Sequence, residues 1–304
     1  MSAEQDTIAV AGISHPEVTG FYDMATSSIQ YVLADPASGQ CAVIDPILDF
    51  DPKSGSTATR SADRLLDHIG NHGLTLDWIL DTHPHADHLS AAGYLRDATG
   101  AKTAIGGVIT EVQALWKQLY NLPDTFRTDG SQWDHLFADG EHFSIGEMEV
   151  TVMHSPGHTL CSITYVAGDA AFIHDTLFMP DTGTARADFP GGNASRLWQS
   201  IQAILALPDD MRLFTGHDYR EGGREAQWQS TVAEQKVANA HVVAMDEAGF
   251  VALRTTRDVS LPMPELILPA LQVNIAGGRL PAPERNGQRY LKIPLNAFSD
   301  SPWH

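Results

Sequence analysis

The stretch from His83 to His88 reads HPHADH and directly follows the strand-like run WILDT, residues 78–82. It holds three histidines and one aspartate within six residues. In extended chain, His83 and His85 point to the same side, because side chains alternate with a period of two. If a helix starts near Asp87, then Asp87 and His88 turn toward the same pocket. The stretch therefore predicts a loop that supplies ligands to two adjacent metal positions.

Three later residues are also polar side chains that follow an apolar, strand-like run. His158 stands in HSPGHT, Asp175 follows AFIH, and His217 stands in FTGHDY. Each is weak when taken alone: Asp175, for instance, is equally typical of a turn or a helix cap. For the HPHADH cluster the alternative without a metal is a loop of solvated histidines or a helix cap, but the density of the cluster favours a metal role.

The candidate ligands are imidazoles and carboxylates, which suit zinc, iron and manganese. The chain has only two cysteines, Cys41 and Cys161, so a thiolate cluster and a disulfide framework are both excluded. The ligand types leave the identity of the metal open.

Strand and helix patterns alternate along the first part of the chain. Residues 30–45 predict a hairpin, and residues 61–73 predict a helix with Leu65, Leu66 and Ile69 on one face and Ser61 as a possible cap. Further patterns predict a strand at LDWILDTH, helices at LSAAGYLRDATG and ITEVQALWKQLYNL, strands from Phe143 to Phe178, a helix capped by Asn193 or Ser195, and a final strand in MRLFTGHDY.

Residues 240–304 are rich in proline and glycine and predict an extended tail that packs on the core or on a neighbouring subunit. The apolar stretch ILPALQVNI within it suggests either a homodimer contact or a cover for a sheet edge of the same chain.

The net charge of −19, from 38 acidic and 19 basic residues, argues against a nucleic-acid partner and against binding to anionic membranes. No apolar stretch is long enough to span a bilayer. The first ten residues, MSAEQDTIAV, have no feature of a targeting peptide, and the few cysteines fit a reducing compartment. We therefore expect a cytoplasmic location.

The motifs THPHADH, SPGHT, the aspartate in HDTLF, and GHDY occur in the order typical of the metallo-β-lactamase superfamily, so the chain resembles that family from about Gln30 to Tyr219. The resemblance implies an α/β fold, an αββα sandwich with a short C-terminal extension, and a metal site on loops at one edge. It implies a catalytic domain over residues 1–239, followed by the extension over residues 240–304.

Within that superfamily the chain looks most like the persulfide dioxygenases, relatives of glyoxalase II. Arg186 and Asp188–Phe189 match an Arg-x-Asp-Phe motif of those enzymes, and HDYREGG resembles their HDY region. Two departures are visible: His174 replaces a glycine that many relatives have before the aspartate, and TLCS replaces Thr-Pro-Gly after His158.

This resemblance implies one Fe(II) per chain, held by His83, His158 and Asp175 as the catalytic residues. Glutathione persulfide, or another small thiol or persulfide, would be oxidised with O2 to sulfite and glutathione, in sulfide detoxification. The residues that would orient ligands or hold a second metal are His85, Asp87, His88 and His217. Arg186 and Tyr219 are the candidates for binding the glutathione moiety.

The same ligands also fit a thioester hydrolase of the glyoxalase II type, in which two Zn(II) ions hold a bridging hydroxide. A lactonase or esterase is a weaker hydrolytic alternative. A metal-containing regulatory protein without turnover ranks lowest, because an open histidine and carboxylate site is more typical of catalysis than of structural zinc.

Overall fold

The computed structural model describes residues 15–298. Within that range the strands are β1 (Glu17–Tyr22), β2 (Ile29–Ala34), β3 (Gln40–Ile44), β4 (Ile47–Asp51), β5 (Ser56–Ala58), β6 (Thr75–Leu80), β7 (Leu89–Ser90), β8 (Lys102–Gly106), β9 (His135–Phe137), β10 (His142–Ile145), β11 (Met148–His154), β12 (Ile163–Ala167), β13 (Ala170–His174), β14 (Arg212–Thr215) and β15 (Gln229–Thr231). The α-helices are α1 (Arg60–Asn71), α2 (Ala92–Thr99), α3 (Ile109–Leu119), α4 (Ala194–Leu205), α5 (Val232–Ala238), α6 (Glu247–Asp258) and α7 (Ile267–Asn274).

Twelve of these strands form two six-stranded sheets, with the orders β1-β2-β3-β6-β8-β9 and β10-β11-β12-β13-β14-β15, and the other three form a small sheet in the order β5-β4-β7. The first sheet opens as an antiparallel hairpin and becomes parallel from β3 to β9, with α1, α2 and α3 in the crossovers. The second sheet is antiparallel apart from the pair β13 and β14, which α4 connects.

Apolar side chains occupy both faces of each sheet. One cluster joins the sheets to each other and includes Tyr31 and Leu80 from the first sheet and Tyr165 and Phe172 from the second. Two further clusters bind α1 and α2 to the outer face of the first sheet, and α4 and α6 to the outer face of the second. The result is the predicted αββα sandwich, because each sheet must bury its second face against helices.

Most elements match their sequence signals, including the hairpin of β2 and β3 and the cap of α4, where Asn193 accepts a hydrogen bond from the Arg196 main chain. The predicted cap of α1 was wrong. Thr59 is the N-cap residue, and Ser61 lies inside the first turn, where its hydroxyl donates to Asp49.

The helix after HPHADH begins later than the pattern suggested. The short strand β7 follows His88, and α2 begins only at Ala92. The ligand loop is therefore held as irregular chain, paired through β7 to β4, rather than as the first turn of a helix.

The expectation of an extended tail was wrong for residues 247–258 and 267–274, which form α6 and α7. Asp246 caps α6 by accepting from the Gly249 main chain. Pro269 lies in the first turn of α7, where its missing N–H costs no helical hydrogen bond. The strand β15 also follows β14, so β14 is not the last strand.

The division at residue 239, the homodimer contact and the cytoplasmic location stay predictions.

Strands β6, β11, β13 and β14 end at the same edge of the sandwich. The polar residues that follow these strands lie at that edge too. His83, His158, Asp175 and His217 come one to four residues after these strands, on loops carried by both sheets. No helix in the described part of the chain combines the length and apolar character needed to cross a bilayer.

Candidate metal centre

Three imidazoles converge on one carboxylate oxygen at this edge. Oδ2 of Asp175 lies 3.6 Å from Nε2 of His83, 3.5 Å from Nε2 of His158 and 3.2 Å from Nε2 of His217. All four residues are buried. Four separate loops therefore supply one compact donor set.

The remaining predicted ligands lie beside this set. Asp87 Oδ2 is 3.5 Å from Nε2 of His217 and 3.0 Å from Nδ1 of His88. Three groups of potential donor atoms each fit within 4.8 Å: His83, His85 and Asp175; His85, Asp87 and His88; and Asp87, Asp175 and His217. All seven predicted ligands thus surround one site, and their individual roles in metal binding stay predictions.

The donor atoms themselves indicate that the site fits a metal. Nε2 of His83, both ring nitrogens of His85, Nε2 of His88 and Oδ1 of Asp175 are buried without a hydrogen-bond partner. His85 Nε2 lies 3.0 Å from Asp45 Oδ1, but not in hydrogen-bonding geometry. Buried polar atoms are normally paired, so this concentration of unpaired nitrogen and oxygen suits a cation.

Hydrogen bonds orient two of the imidazoles. The Thr82 hydroxyl donates to Asp45 at 2.8 Å and lies 3.0 Å from Nδ1 of His83, so it accepts the Nδ1 proton. Nδ1 of His158 lies 2.8 Å from the carbonyl oxygen of Arg186, which can only accept. Both rings therefore keep an Nε2 lone pair for a metal, as is typical of metal-binding histidines.

Burial and charge act in opposite directions on the acidic and basic groups of the site. Burial alone would raise the pKa of Asp175, but the neighbouring His217 and His83 hold it well below its usual value. Burial, with His83 nearby, lowers the pKa of His158 to about 4 despite the attraction of Asp175. The carboxylate is thus ionised and this imidazole neutral at pH 7, the forms that coordinate metals.

The two departures from the family pattern are accommodated locally. His174 adopts φ +40°, a left-handed conformation that glycine takes without strain, and its ring lies 2.9 Å from the Ser155 hydroxyl and 3.1 Å from that of Thr176. After His158, the Thr159 and Ser162 hydroxyls pair at 2.6 Å. With both departures present, His158 still lies beside Asp175.

A cavity of about 830 Å³ opens beside Asp87, His158, Asp175 and His217. Its walls are largely apolar and include Phe50, Phe178, Phe189 and the segment 261–266 between α6 and α7. The volume lies within the range of small-molecule sites.

The two predicted substrate-binding residues both line this cavity, but they differ in availability. Tyr219 is half exposed and stacks on the His217 ring. The Arg186 guanidinium already makes two hydrogen bonds to Asp188 and one to the Pro262 carbonyl. Arg186 therefore fastens the segment 261–266 to the site wall.

Several supporting residues escaped the sequence reasoning. Asp45 ends the apolar run CAVID, as Asp175 ends AFIHD, and this shared pattern could have revealed it. Ser28, whose hydroxyl donates to Asp87 at 2.8 Å, has no such signal. Arg257 is exposed on α6 beside the cavity, and the sequence around it likewise gives no signal of a functional role.

Comparison with known proteins agrees with this architecture. The family model of the metallo-beta-lactamase superfamily matches residues 31–217. The beta-lactamase hydrolase-like protein of Xylella fastidiosa is 64% identical over 291 residues, which cover 96% of this chain and 67% of that protein. The human mitochondrial persulfide dioxygenase ETHE1 is 29% identical over 84% of this chain and 87% of its own length.

Among solved structures, ETHE1 from Myxococcus xanthus superposes with a TM-score of 0.69 and 30% identity, covering 86% of this chain and 100% of that one. The family match spans both halves of the sandwich and includes every predicted ligand from His83 to His217. The chain therefore belongs to the metallo-beta-lactamase superfamily.

Proposed function

We propose that this protein is a persulfide dioxygenase, which oxidises the terminal sulfur of glutathione persulfide at one Fe(II) held by His83, His158 and Asp175. The observation that carries the proposal is the approach of Nε2 of His83 and of His158, beside that of His217, to the same oxygen of Asp175. Two histidines and one carboxylate on one face are the donor set of non-haem iron oxygenases. The similarity to the ETHE1 proteins supports the same assignment.

In the proposed reaction, glutathione persulfide, O2 and water yield glutathione, sulfite and two protons. The S–S bond breaks, the terminal sulfur is oxidised, and O2 is reduced and provides two of the three oxygen atoms of sulfite. The bound Fe(II) would supply the redox chemistry that O2 requires.

The chain's own contribution is to bind the thiol and exclude bulk water. Phe178 and Phe189 form apolar walls beside the ligands. The Tyr219 hydroxyl, at the open side, can donate to a peptide carbonyl of the substrate. Arg257 lines the cavity, and the described residues form no ion pair with it, so it can pair with a substrate carboxylate.

The test is the metal content of protein purified without chelators, together with oxygen uptake on adding glutathione persulfide. The proposal predicts about one iron per chain, oxygen consumption and sulfite formation. The variant Asp175→Ala should lose both metal and activity, whereas His85→Ala should keep one metal and partial turnover. Equal and total loss of metal in both variants would contradict the one-iron site.

A thioester hydrolase with two Zn(II) ions is the second candidate. Two observations favour it: a second donor group, His85, Asp87 and His88, is complete, and the 64% identical Xylella protein is named hydrolase-like. About two zinc ions per chain, with thioester cleavage and no oxygen uptake, would move the assignment to this class.

A further inference from the structure

The main chain of the ligand loop is held by one buried side chain from the C-terminal region. Nδ2 of Asn274 donates to the carbonyl oxygens of His85 and His88, at 2.7 and 2.8 Å. Oδ1 of the same amide accepts from the Ser90 main chain at 2.7 Å. A primary amide offers two N–H donors and one carbonyl acceptor, so Asn274 pairs all three main-chain groups at once.

Asn274 is itself rigidly placed at the end of α7. The next carbonyl, that of Ile275, accepts from Nε2 of Gln113 on α3 at 2.8 Å. The chain then turns at Gly278 with φ +72°, where an added Cβ would lie 2.8 Å from the Gly93 nitrogen and 2.9 Å from the Ser90 oxygen. The turn after α7 therefore packs directly against the residues that follow the ligand loop.

The rings of the two histidines whose carbonyls Asn274 binds are held differently from the rings of His83 and His158. His83 is oriented by Thr82, and His158 by the Arg186 carbonyl. By contrast, Nε2 of His85 lies 3.0 Å from Asp45 Oδ1 outside hydrogen-bonding geometry, and its Nδ1 has no partner. Nδ1 of His88 lies 3.0 Å from Asp87 Oδ2, which belongs to the same loop. The path of the main chain is thus a restraint, beside Asp45, on where the His85 ring points.

We propose that Asn274 is a positioning residue of the metal centre, which holds the main chain of residues 85–90 so that the His85, Asp87 and His88 side chains face the metal. Without its amide, two buried carbonyls and one N–H lose their partners, and the loop relaxes to pair them elsewhere. This role is independent of the reaction, since a dioxygenase and a hydrolase need the same loop.

The chain offers a matched control in Asn239. Its amide is also buried, donates to the Gly183 carbonyl and to Gln235, and accepts from the His241 main chain, but it binds no residue of the ligand loop. Replacing either asparagine by leucine removes three hydrogen bonds at similar volume and adds no charge.

The experiment measures Co(II) affinity by chelator competition, and the visible spectrum of the Co(II) form, in the full chain and in the variants Asn274→Leu and Asn239→Leu. We expect Asn274→Leu to bind Co(II) about 10 to 100 times more weakly, with an altered spectrum, as when outer partners of ligands are lost. Asn239→Leu should keep the affinity and spectrum of the unchanged protein, even where its melting temperature falls. Equal affinities in both variants would overturn the proposal.

A second measurement needs no variant and remains available if Asn274→Leu does not fold. Because coupling between two sites is reciprocal, Co(II) binding should stabilise the segment that holds the loop. Amide hydrogen exchange in peptides from residues 270–278, which contain no ligand, should slow on adding Co(II), whereas exchange in residues 239–243 should not change. Unchanged exchange in residues 270–278 would contradict the role of Asn274.

Discussion

At the scale of single residues, the candidate centre depends on groups that never touch a metal. The chain from Asp45 through the Thr82 hydroxyl to Nδ1 of His83 fixes both the orientation and the tautomer of the ring. Thr82 also donates its main-chain N–H to Asp45 at 2.7 Å. One carboxylate thus holds Thr82, the residue before the ligand loop, through two hydrogen bonds.

This arrangement predicts that Thr82→Val weakens metal binding about 10 to 100 times, because the His83 Nδ1 proton loses its acceptor while the side-chain volume hardly changes. Thr82→Ser, which keeps the hydroxyl, should bind metal nearly as the unchanged protein does. Zn(II) competition with a chromophoric chelator measures both affinities. If valine and serine behave alike, the hydroxyl has no orienting role.

A second residue-scale prediction concerns His241, which lies outside the metal centre. Its Nδ1 accepts from the Thr184 main chain at 3.0 Å. Burial, with Arg254 and Arg257 nearby, lowers the pKa of His241 to about 4. The unfolded chain, with a histidine pKa of about 6.5, binds this proton more readily, so the folded state loses stability as pH falls from 6.5 toward 4.

We therefore expect this histidine to account for about 2 kcal/mol of the stability lost by metal-free protein between pH 7 and pH 5. His241→Asn keeps an acceptor for the Thr184 N–H but cannot be protonated in this range. Urea unfolding at the two pH values should show a smaller loss in the variant. The same loss in both proteins would place the acid-sensitive group elsewhere.

At the scale of elements, the predictions that succeeded had local signals. The hairpin of β2 and β3 has a turn between two β-rich runs, and the cap of α4 is one of two residues named from its first turn. The seven predicted ligands lie in four segments that each follow an apolar strand, and the structure brings them together because these strand ends meet at one edge of the sandwich.

The failures also have physical causes. Pro262, Pro264 and Pro269 suggested an extended tail, but two of them lie between helices and the third is tolerated in the first turn of α7. Asn274 could not be predicted, because its partners, His85 and His88, lie 189 and 186 residues earlier. A tertiary hydrogen bond of that span leaves no periodic pattern in one sequence.

The helix α6 fastens the cavity wall through a buried ion pair. Arg254 donates to Asp258 at 2.5 Å and to the Thr184 carbonyl at 2.8 Å, and Asp258 accepts from the Ala187 main chain at 2.8 Å. Both charged residues are almost fully buried. The pair therefore connects α6 to the chain between Asp175 and α4.

We predict that Asp258→Ala lowers the free energy of unfolding by about 3–5 kcal/mol, because it leaves the Arg254 charge buried and unpaired. The double variant Arg254→Met with Asp258→Leu removes both charges, so its free energy of unfolding should fall less than that of the single variant. Urea denaturation of the three proteins measures the difference. If the free energy of unfolding of Asp258→Ala lies within about 1 kcal/mol of that of the unchanged protein, the ion pair does not stabilise the packing of α6.

At the scale of the whole molecule, the candidate centre joins the two halves of the sandwich. His83, His85 and His88 follow strands of the first sheet, whereas His158, Asp175 and His217 follow strands of the second. A metal held by both sets stabilises the folded state over the unfolded chain, which has no such site. Metal removal is thus expected to loosen the contact between the sheets as well as end activity.

The C-terminal helices complete both outer layers. Phe250 of α6 belongs to the apolar cluster on the second sheet, and Ala270 and Val273 of α7 belong to that on the first. Ile267, Leu271 and Ile275 pack against α3 in a further cluster. Residues 240–298 therefore contribute to the core on both sides of the molecule.

This packing predicts that a chain ending at residue 239 cannot fold. Each large buried side chain that is removed costs about 2–5 kcal/mol, and the loss of several exceeds the 5–15 kcal/mol that typically stabilises a domain. Size-exclusion chromatography and near-ultraviolet circular dichroism should show aggregated or unfolded protein that binds no Co(II). As a control, Val259→Ser at an exposed position of the full chain should fold and bind Co(II) normally. If residues 1–239 alone unfold cooperatively and bind Co(II), the C-terminal helices are an accessory layer, and neither Asn274 nor Phe250 is needed for the centre.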